Sequence, residues 1–483
     1  MSRPEPKLSI LALVATAQFI LLIDDTIVNV ALPSIGADLD MAESDLSWVV
    51  NAYFLTLGGF LLAGGRAADL IGRRRMLVAA LIAFSAASLV GGFAGSGELL
   101  VAARAVQGLA GALLSPAALS ILLATFPAGA ERTRALGVWA ALSGLGAATG
   151  LLAGGVIVEA LDWRWVFFVN VPVGLAAAVL VPRLVPPDVR RPDRTRPDWS
   201  GAVLGTSGLL LLVYTVVETD SAGWTSIRTL VGLAVVAVLG ALFVRRERTT
   251  PDPLVPASLI GAHRVAVANV VIAIASVGLF AMFFFLTLYM QNVQGWSALR
   301  TGLSYLPFAA TMLVVSGVVT NVAHRVPRRA LLVTGLLIAA AGLWMMRGLR
   351  PGDAYGTELM PILVVTALGL GLLFVPIFEA ATESAREHDA GMASALATAS
   401  QQVGSAVGIA VLVTVATQRT DELLAAHVGP AQAMSEGFGA AFTVASLILV
   451  AAAALATRIG PTRETGRRCR LDVSRKIRHS VSA

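Results

Sequence analysis

The 483-residue chain is 56% hydrophobic and only 14% charged, with a mean hydropathy of +0.78 and a pI near 10.1. A soluble domain carries about 25% charged residues, so this composition excludes a surface built for water. One cysteine, Cys469, excludes a disulfide framework or a Cys-based zinc site, and two lysines, Lys7 and Lys476, neither in a Gly-Lys-Ser/Thr setting, exclude a phosphate-binding P-loop and direct use of ATP through one.

The apolar residues come in long blocks. A bilayer core about 30 Å thick needs roughly 20 apolar residues of helix, whereas a barrel strand alternates over about 10. Blocks such as 8–23 and 76–94 do not alternate, so an all-α integral membrane protein is expected. Apolar stretches bounded by charge or turn residues predict fourteen spans, near 8–33, 46–65, 76–96, 99–124, 136–158, 164–186, 200–219, 228–244, 265–288, 301–323, 329–346, 359–381, 391–417 and 437–457. Arg3 and Lys7 precede an apolar run holding Ala15-Thr16-Ala17, a cleavage-like pattern, but the run continues to Ile23, so an uncleaved first span is expected.

A charge at mid-span is costly and usually faces a bundle interior. The first span carries Asp24 and Asp25, which point about 100° apart on a helix. Gln18, Asp25 and Asn29 share one face, which leaves Asp24 to a neighbouring helix. The second span adds Asn51 and Tyr53. In the fourth, Arg104, Gln107, Gly108, Gly111 and Ser115 form one stripe. A buried arginine stays charged and needs a carboxylate, for which the first-span aspartates are the candidates. A carboxylate raised by desolvation and lowered by a nearby Arg can exchange its proton near neutrality, so Asp24, Asp25 and Arg104 form the expected proton-coupling set. In the fifth span Gly146, Gly150 and Gly154 recur every four residues, as Gly404 and Gly408 do in the thirteenth, a spacing that lets helices approach closely in lipid.

Two polar, Pro-rich linkers, 186–197 and 245–263, bracket spans seven and eight. The expected division is a six-helix bundle over 1–186, a linker and inserted helix pair over 187–262, a second six-helix bundle over 263–457 and a basic tail over 458–483, as in a duplicated unit. With both termini cytoplasmic, all Lys and Arg except Arg104, Arg164, Arg228, Arg300, Arg347, Arg350 and Arg419 fall in cytoplasmic segments, the bias of the positive-inside rule. The basic loops thus set topology and touch anionic headgroups. They are not interleaved with aromatics as a nucleic-acid groove is, so no nucleic-acid partner is expected. Glu218, Glu379 and Glu383 end their spans and read as solvated charges, and the scattered histidines, His324 among them, form no metal cluster. No metal and no cofactor is expected.

The motifs resemble the major facilitator superfamily, specifically its fourteen-span drug:proton antiporter family (EmrB/QacA type). Gly65-Arg66-Ala67-Ala68-Asp69-Leu70-Ile71-Gly72-Arg73-Arg74-Arg75 is similar to the signature loop after span two, which implies a cytoplasmic gate formed by Gly65, Asp69, Gly72, Arg73, Arg74 and Arg75. The stretch 100–111 resembles the span-four proton-transfer motif. Gly150-Leu151-Leu152-Ala153-Gly154-Gly155 resembles the antiporter motif, with leucine in its proline place, and implies packing roles for Gly146, Gly150, Gly154 and Gly155. The most specific matches are 24–33, from Asp24 through Asn29 to Pro33, and 163–174. Alignment makes Asp24 the family aspartate, while periodicity favours Asp25 as the cavity-facing one; both are carried.

The resemblance implies a non-enzymatic, monomeric, proton-coupled efflux antiporter of the plasma membrane that exports cationic or aromatic amphipathic drugs or antibiotics by alternating access. Alternatives are a dedicated exporter of one endogenous metabolite and a lipid-type substrate. Candidate cavity groups are Gln18, Asn29, Asn51, Tyr53, Gln107, Tyr289, Gln291, Gln401 and Gln402.

Overall fold

The computed structural model describes residues 6–126, 130–187, 199–223, 225–250, 253, 263–322, 326–382 and 390–459, and these hold helices and no strand. The long helices are α1 (Pro6–Leu39), α2 (Glu43–Ile71), α3 (Arg73–Gly92), α4 (Gly97–Thr125), α5 (Ala130–Ala160), α6 (Asn170–Leu184), α7 (Trp199–Val217), α8 (Ile227–Thr249), α9 (His263–Leu288), α10 (Leu306–Val322), α11 (Arg328–Met346), α12 (Met360–Thr382), α13 (Ala390–Ala425) and α14 (Pro430–Ala456). Among the described residues, eleven helices are long and apolar enough to cross a membrane. Three further predicted spans coincide with α2, α5 and α7, whose side chains are described only in part. The basic tail with Cys469 and Lys476, most of the linker 186–197, and His324, Glu383 and Arg386 lie outside the described residues.

Local chemistry sets several boundaries. Ser96 caps α4 by accepting from the Leu99 N–H at 3.3 Å, and Ser226 caps α8 by accepting from Thr229 N–H. One residue, Gly72, separates α2 from α3; its φ of +105° is a conformation that side-chain-bearing residues rarely adopt. The sixth span is not one helix: a single turn, Trp165–Phe168, precedes α6, and Pro172 falls in the first turn of α6, where its missing N–H is not needed.

Helices α1 to α6 pack on one another and α9 to α14 pack on one another, while α7 lies against both α2 and α13 and carries α8 outside it. The most apolar stretch of α8 is almost wholly exposed and that of α9 mostly buried, as suits a peripheral lipid-facing helix and a central one. The two groups meet where α2 packs on α13 and where α5 packs on the short helix Ala298–Ser304.

Glycines create these close approaches. A Cβ at Gly146 would lie 2.6 Å from Leu22 Cβ, at Gly154 2.9 Å from the Ile27 carbonyl, and at Gly150 on top of the Thr26 hydroxyl, so the α5 stripe is moulded to α1. In the second group a Cβ at Gly404 would strike the Ala273 carbonyl and one at Gly408 would come 2.7 Å from Val277, which moulds α13 to α9 in the same way.

Gly404→Val is expected to lower the melting temperature of the detergent-purified protein by the equivalent of roughly 1–3 kcal/mol, the usual cost of overpacking. Gly240→Ala on α8, where a Cβ meets nothing within 4 Å, is expected to leave it unchanged in the same scan.

Candidate functional site

Deep in the first group of helices, Asp24 of α1 is completely buried and Arg104 of α4 is 1% exposed. Arg104 Nη1 donates to Asp24 Oδ2 at 2.5 Å and to Gln107 Oε1 at 3.1 Å, and its Nε donates to the Val49 carbonyl at 2.9 Å. The guanidinium carbon sits 4.2 Å from the centre of the Tyr53 ring, a cation–π placement. Asp24 Oδ1 accepts from Asn170 Nδ2 at 2.8 Å and from Gln107 Nε2 at 3.2 Å, and Gln107 Nε2 also donates to Ser88 Oγ at 2.8 Å. Five helices thus converge on one ion pair, and both carboxylate oxygens of Asp24 are engaged.

Asp25 turns away from this network, as the 100° step requires. Its Oδ1 is buried with no hydrogen-bond partner among the described residues, and the same holds for Gln18 Oε1, both amide atoms of Asn51 and the Tyr53 hydroxyl. The Gln402 side chain of α13 interacts with the Asp25 carboxyl, so Asp25 looks across the junction between the two groups of helices. Gln402 is 4% exposed and packs on Gly58 of α2, where a Cβ would lie 2.9 Å from its own. Phe54 on α2 and Phe280 on α9 close the neighbouring stretch edge to face at 4.7 Å.

The remaining candidate groups separate. Asn29 Nδ2 donates to the Asp25 carbonyl of its own helix at 2.9 Å. The Tyr289 hydroxyl donates to the Arg350 carbonyl at 2.7 Å and accepts from Gln294 Nε2, so it clamps α9 to the connection after α11. Gln291 Nε2 reaches the Val30 carbonyl at 2.9 Å and ties α1 to the second group. Gln401 is half-buried beside Gln402. In the 65–75 loop, Arg73 Nη1 donates to the Ser120 carbonyl and Arg74 Nη2 to the Pro182 carbonyl, so at least these two bonds brace the turn against α4 and α6 of its own group. The structure makes this segment helical except at Gly72: Gly65 lies within α2, Gly72 is itself the turn, and Arg75 is exposed; the side chains of Arg66 and Asp69 lie outside the described residues. Two participants escape sequence reasoning. Asn170, inside the 163–174 motif, carried a signal as a lone amide in an apolar span; Ser88 carried none.

At the opposite end of the bundle, Glu159 of α5 joins the groups by accepting from the Leu299 N–H at 3.1 Å and from Ser297. A Cβ on Gly155 would meet the Ala298 carbonyl at 2.8 Å and one on Gly302 the Leu151 carbonyl at 2.6 Å, so the contact is nearly backbone to backbone. The Ser297 hydroxyl first, then the Leu299 N–H, hold the exposed Glu159 carboxyl below the usual glutamate range. Nearby, Asp38 accepts from Trp163 Nε1 at 3.2 Å and pairs with Arg164 at 2.8 Å, with the guanidinium over the Trp163 ring.

The family model described as the Major Facilitator Superfamily matches residues 14–409. The chain is 41% identical over 442 residues to the puromycin resistance protein pur8 of Streptomyces alboniger, covering 90% of this chain and 87% of that protein. It is 41% identical over 428 residues to the cephamycin export protein CmcT of Amycolatopsis lactamdurans, covering 87% and 88%. Its fold is similar to that of a bacterial homologue of the human lysosomal transporter Spinster in an inward-facing, unoccupied conformation, with a TM-score of 0.69 at 15% identity over 95% of this chain and 98% of that one.

Removing one partner of a buried pair strands the other charge, at a cost of about 3–5 kcal/mol. Arg104→Gln and Asp24→Asn are each expected to destabilise the purified protein on that scale, and the double variant by clearly less than the sum, as read in a melting-temperature double-mutant cycle. Because the folded-state pKa of Glu159 is depressed, its contribution to the α5 junction is present above the ordinary glutamate pKa and lost as pH falls through the lowered value. Spin labels at Leu161 and Arg300 in a Cys469→Ser background are expected to separate on such acidification, and Glu159→Gln to remove that pH step.

Proposed function

This chain belongs to the Major Facilitator Superfamily, and from that premise we propose that it is a proton-coupled antiporter which exports amphipathic, cationic or aromatic small molecules. Its relatives are resistance and export proteins, pur8 and CmcT among them, and efflux of small molecules is the shared theme. The observation that carries proton coupling is the pair of adjacent membrane-embedded carboxylates, Asp24 and Asp25, balanced by Arg104, the one buried cation among the described residues. Three charges that cannot all be neutralised internally leave one site for a proton or a substrate charge.

In this reading the chain crosses the plasma membrane fourteen times with both termini in the cytoplasm, as a monomer. Residues 1–186 and 263–457 form two six-helix units that rock about a midplane cavity, 187–262 supplies the inserted pair α7 and α8, and 458–483 is a cytoplasmic tail. The 65–75 loop, with Gly65, Asp69, Gly72, Arg73, Arg74 and Arg75, gates the cytoplasmic side, and the Glu159 and Gln291 contacts close the other. Gly146, Gly150 and Gly154 seat α5 on α1 within the first unit, and Gly155 lets α5 move against the Ala298–Ser304 helix during the rocking. Each pH unit supplies about 1.4 kcal/mol per proton, enough for a tenfold accumulation ratio at one proton per substrate. Relatives named for single compounds favour a second reading, a dedicated exporter of one metabolite, which substrate profiling separates from multidrug efflux.

In proteoliposomes with an imposed pH gradient, the wild-type protein is expected to move a lipophilic substrate against its gradient while releasing protons, and the Asp24→Asn, Asp25→Asn double variant to do neither. Undiminished gradient-driven transport by that variant removes the proton site.

A further inference from the structure

Helix α8 is long and apolar enough to cross a membrane, yet its packing among the described residues is mainly on α7. Its rotation is set by three contacts: Gly232 with Thr215, Leu239 with Gly208 and Phe243 with Gly205. Gly232, Leu239, Phe243 and Glu247 follow one another at seven, four and four residues, which is one helical face. Glu247, at the end of that face, is only 3% exposed. The other side is uncovered: Ala237, Ala241, Val244, Arg245 and Arg248 are all exposed. The last turns of α8 therefore hold their carboxylate inward, while Arg245 and Arg248, three residues apart and so neighbours on the helix surface, stay outward.

A groove of about 520 Å³ lies at this place, lined by Gly240, Ala241, Val244, Arg245, Arg248 and Thr249. Gly240 keeps it open, since a Cβ there would meet nothing within 4 Å. The Thr249 hydroxyl donates to the Arg245 carbonyl at 3.0 Å, so the two guanidinium groups are the donors that this lining offers. Its two ends call for different chemistry. A guanidinium matches phosphate oxygens with paired hydrogen bonds, and two of them favour a headgroup of net negative charge over a zwitterionic one, whose ammonium they repel. Gly240, Ala241 and Val244 carry no polar side chain, so a free phosphate leaves that half of the groove without a partner. An acyl chain fills it by dispersion contact.

We propose that the arginine end of α8 is a binding site for one anionic phospholipid, its phosphate held between Arg245 and Arg248 and an acyl chain laid along Val244, Ala241 and Gly240. The leaflet follows from the topology proposed above, which puts this end of α8 on the cytoplasmic side, where anionic lipid attracts basic side chains. The site itself depends on neither the exported substrate nor proton coupling. Since α8 is carried on α7 outside the two groups of helices, the lipid anchors the inserted pair in the membrane and stands apart from the Asp24–Arg104 network.

The test is native mass spectrometry of the delipidated, detergent-purified full chain, titrated with phosphatidylglycerol and, separately, with phosphatidylcholine of the same acyl chains. Binding needs no gradient and no transport, so failure of the export reading leaves this measurement standing, and the two fail separately. The first phosphatidylglycerol is expected to bind at least fivefold more tightly than phosphatidylcholine, and each arginine to contribute about fivefold. The Arg245→Gln, Arg248→Gln double variant is then expected to lose tenfold or more for phosphatidylglycerol and little for phosphatidylcholine. Arg228→Gln removes the same charge at the opposite, exposed end of α8 and is expected to change the affinity less than twofold. Gly240→Leu keeps both arginines and fills the groove, and it is expected to weaken phosphatidylglycerol at least threefold; it also reports on the site if the double variant proves poorly folded by size-exclusion and melting. Inorganic phosphate in millimolar excess is expected not to displace the lipid. Wild-type affinity in the folded double variant or in Gly240→Leu, an equal loss in Arg228→Gln, no preference for phosphatidylglycerol, or displacement by inorganic phosphate overturns the proposal.

Discussion

Arg104 cannot be deprotonated and cannot reach water from its buried place in the first half of α4, so the surrounding helices have to supply its counter-charge and its hydrogen-bond acceptors. They do so from every side: Asp24 on α1, the Val49 carbonyl and Tyr53 ring on α2, Gln107 on its own helix, with Ser88 on α3 and Asn170 on α6 completing the shell. A charge pair in low dielectric is stabilising only when its remaining donors and acceptors are also satisfied, and that demand fixes the rotation of α1 and α4 about their axes. Once Asp24 is turned toward Arg104, Asp25 has to face the junction with α13. The asymmetry between a satisfied and an unsatisfied aspartate is thus a consequence of helical geometry acting on two adjacent residues.

The same rotation presents Leu22, Thr26 and Ile27 to the glycine stripe of α5. Without a hydrophobic driving force between helices in lipid, close van der Waals contact at such stripes carries much of the association. The contact between α5 and the Ala298–Ser304 helix uses the same device at the other end, where Gly155 and Gly302 bring backbones together and Glu159 adds a charged cap. At both places the glycines remove the side chains that would otherwise hold the backbones apart.

Much of this was legible in the residues. The apolar blocks located the helices, the glycine spacing located the packing stripes, and the arginine in span four demanded a carboxylate. What stayed hidden were partners whose chemistry is ordinary. Ser88 is one of many serines in apolar helices, and Asn170 looked like part of a family motif, not like a ligand of Asp24. Tyr289 and Gln291 illustrate the converse. As polar groups near mid-chain apolar stretches they resembled cavity lining, yet Tyr289 clamps a loop carbonyl and Gln291 bridges to Val30, because a long polar side chain near a helix end can reach backbone carbonyls of a neighbouring connection.

The sequence by itself determined that the chain is helical and membrane-embedded, where its helices lie, and that its few buried charges need one another, because hydropathy, helical period and the cost of a charge in lipid act through local spacing. Only the tertiary structure decided which aspartate holds Arg104. Two neighbours on a helix differ by a rotation of 100°, and that rotation is set by contacts with α4, α5 and α6, residues 80 to 146 positions away, which no local pattern records.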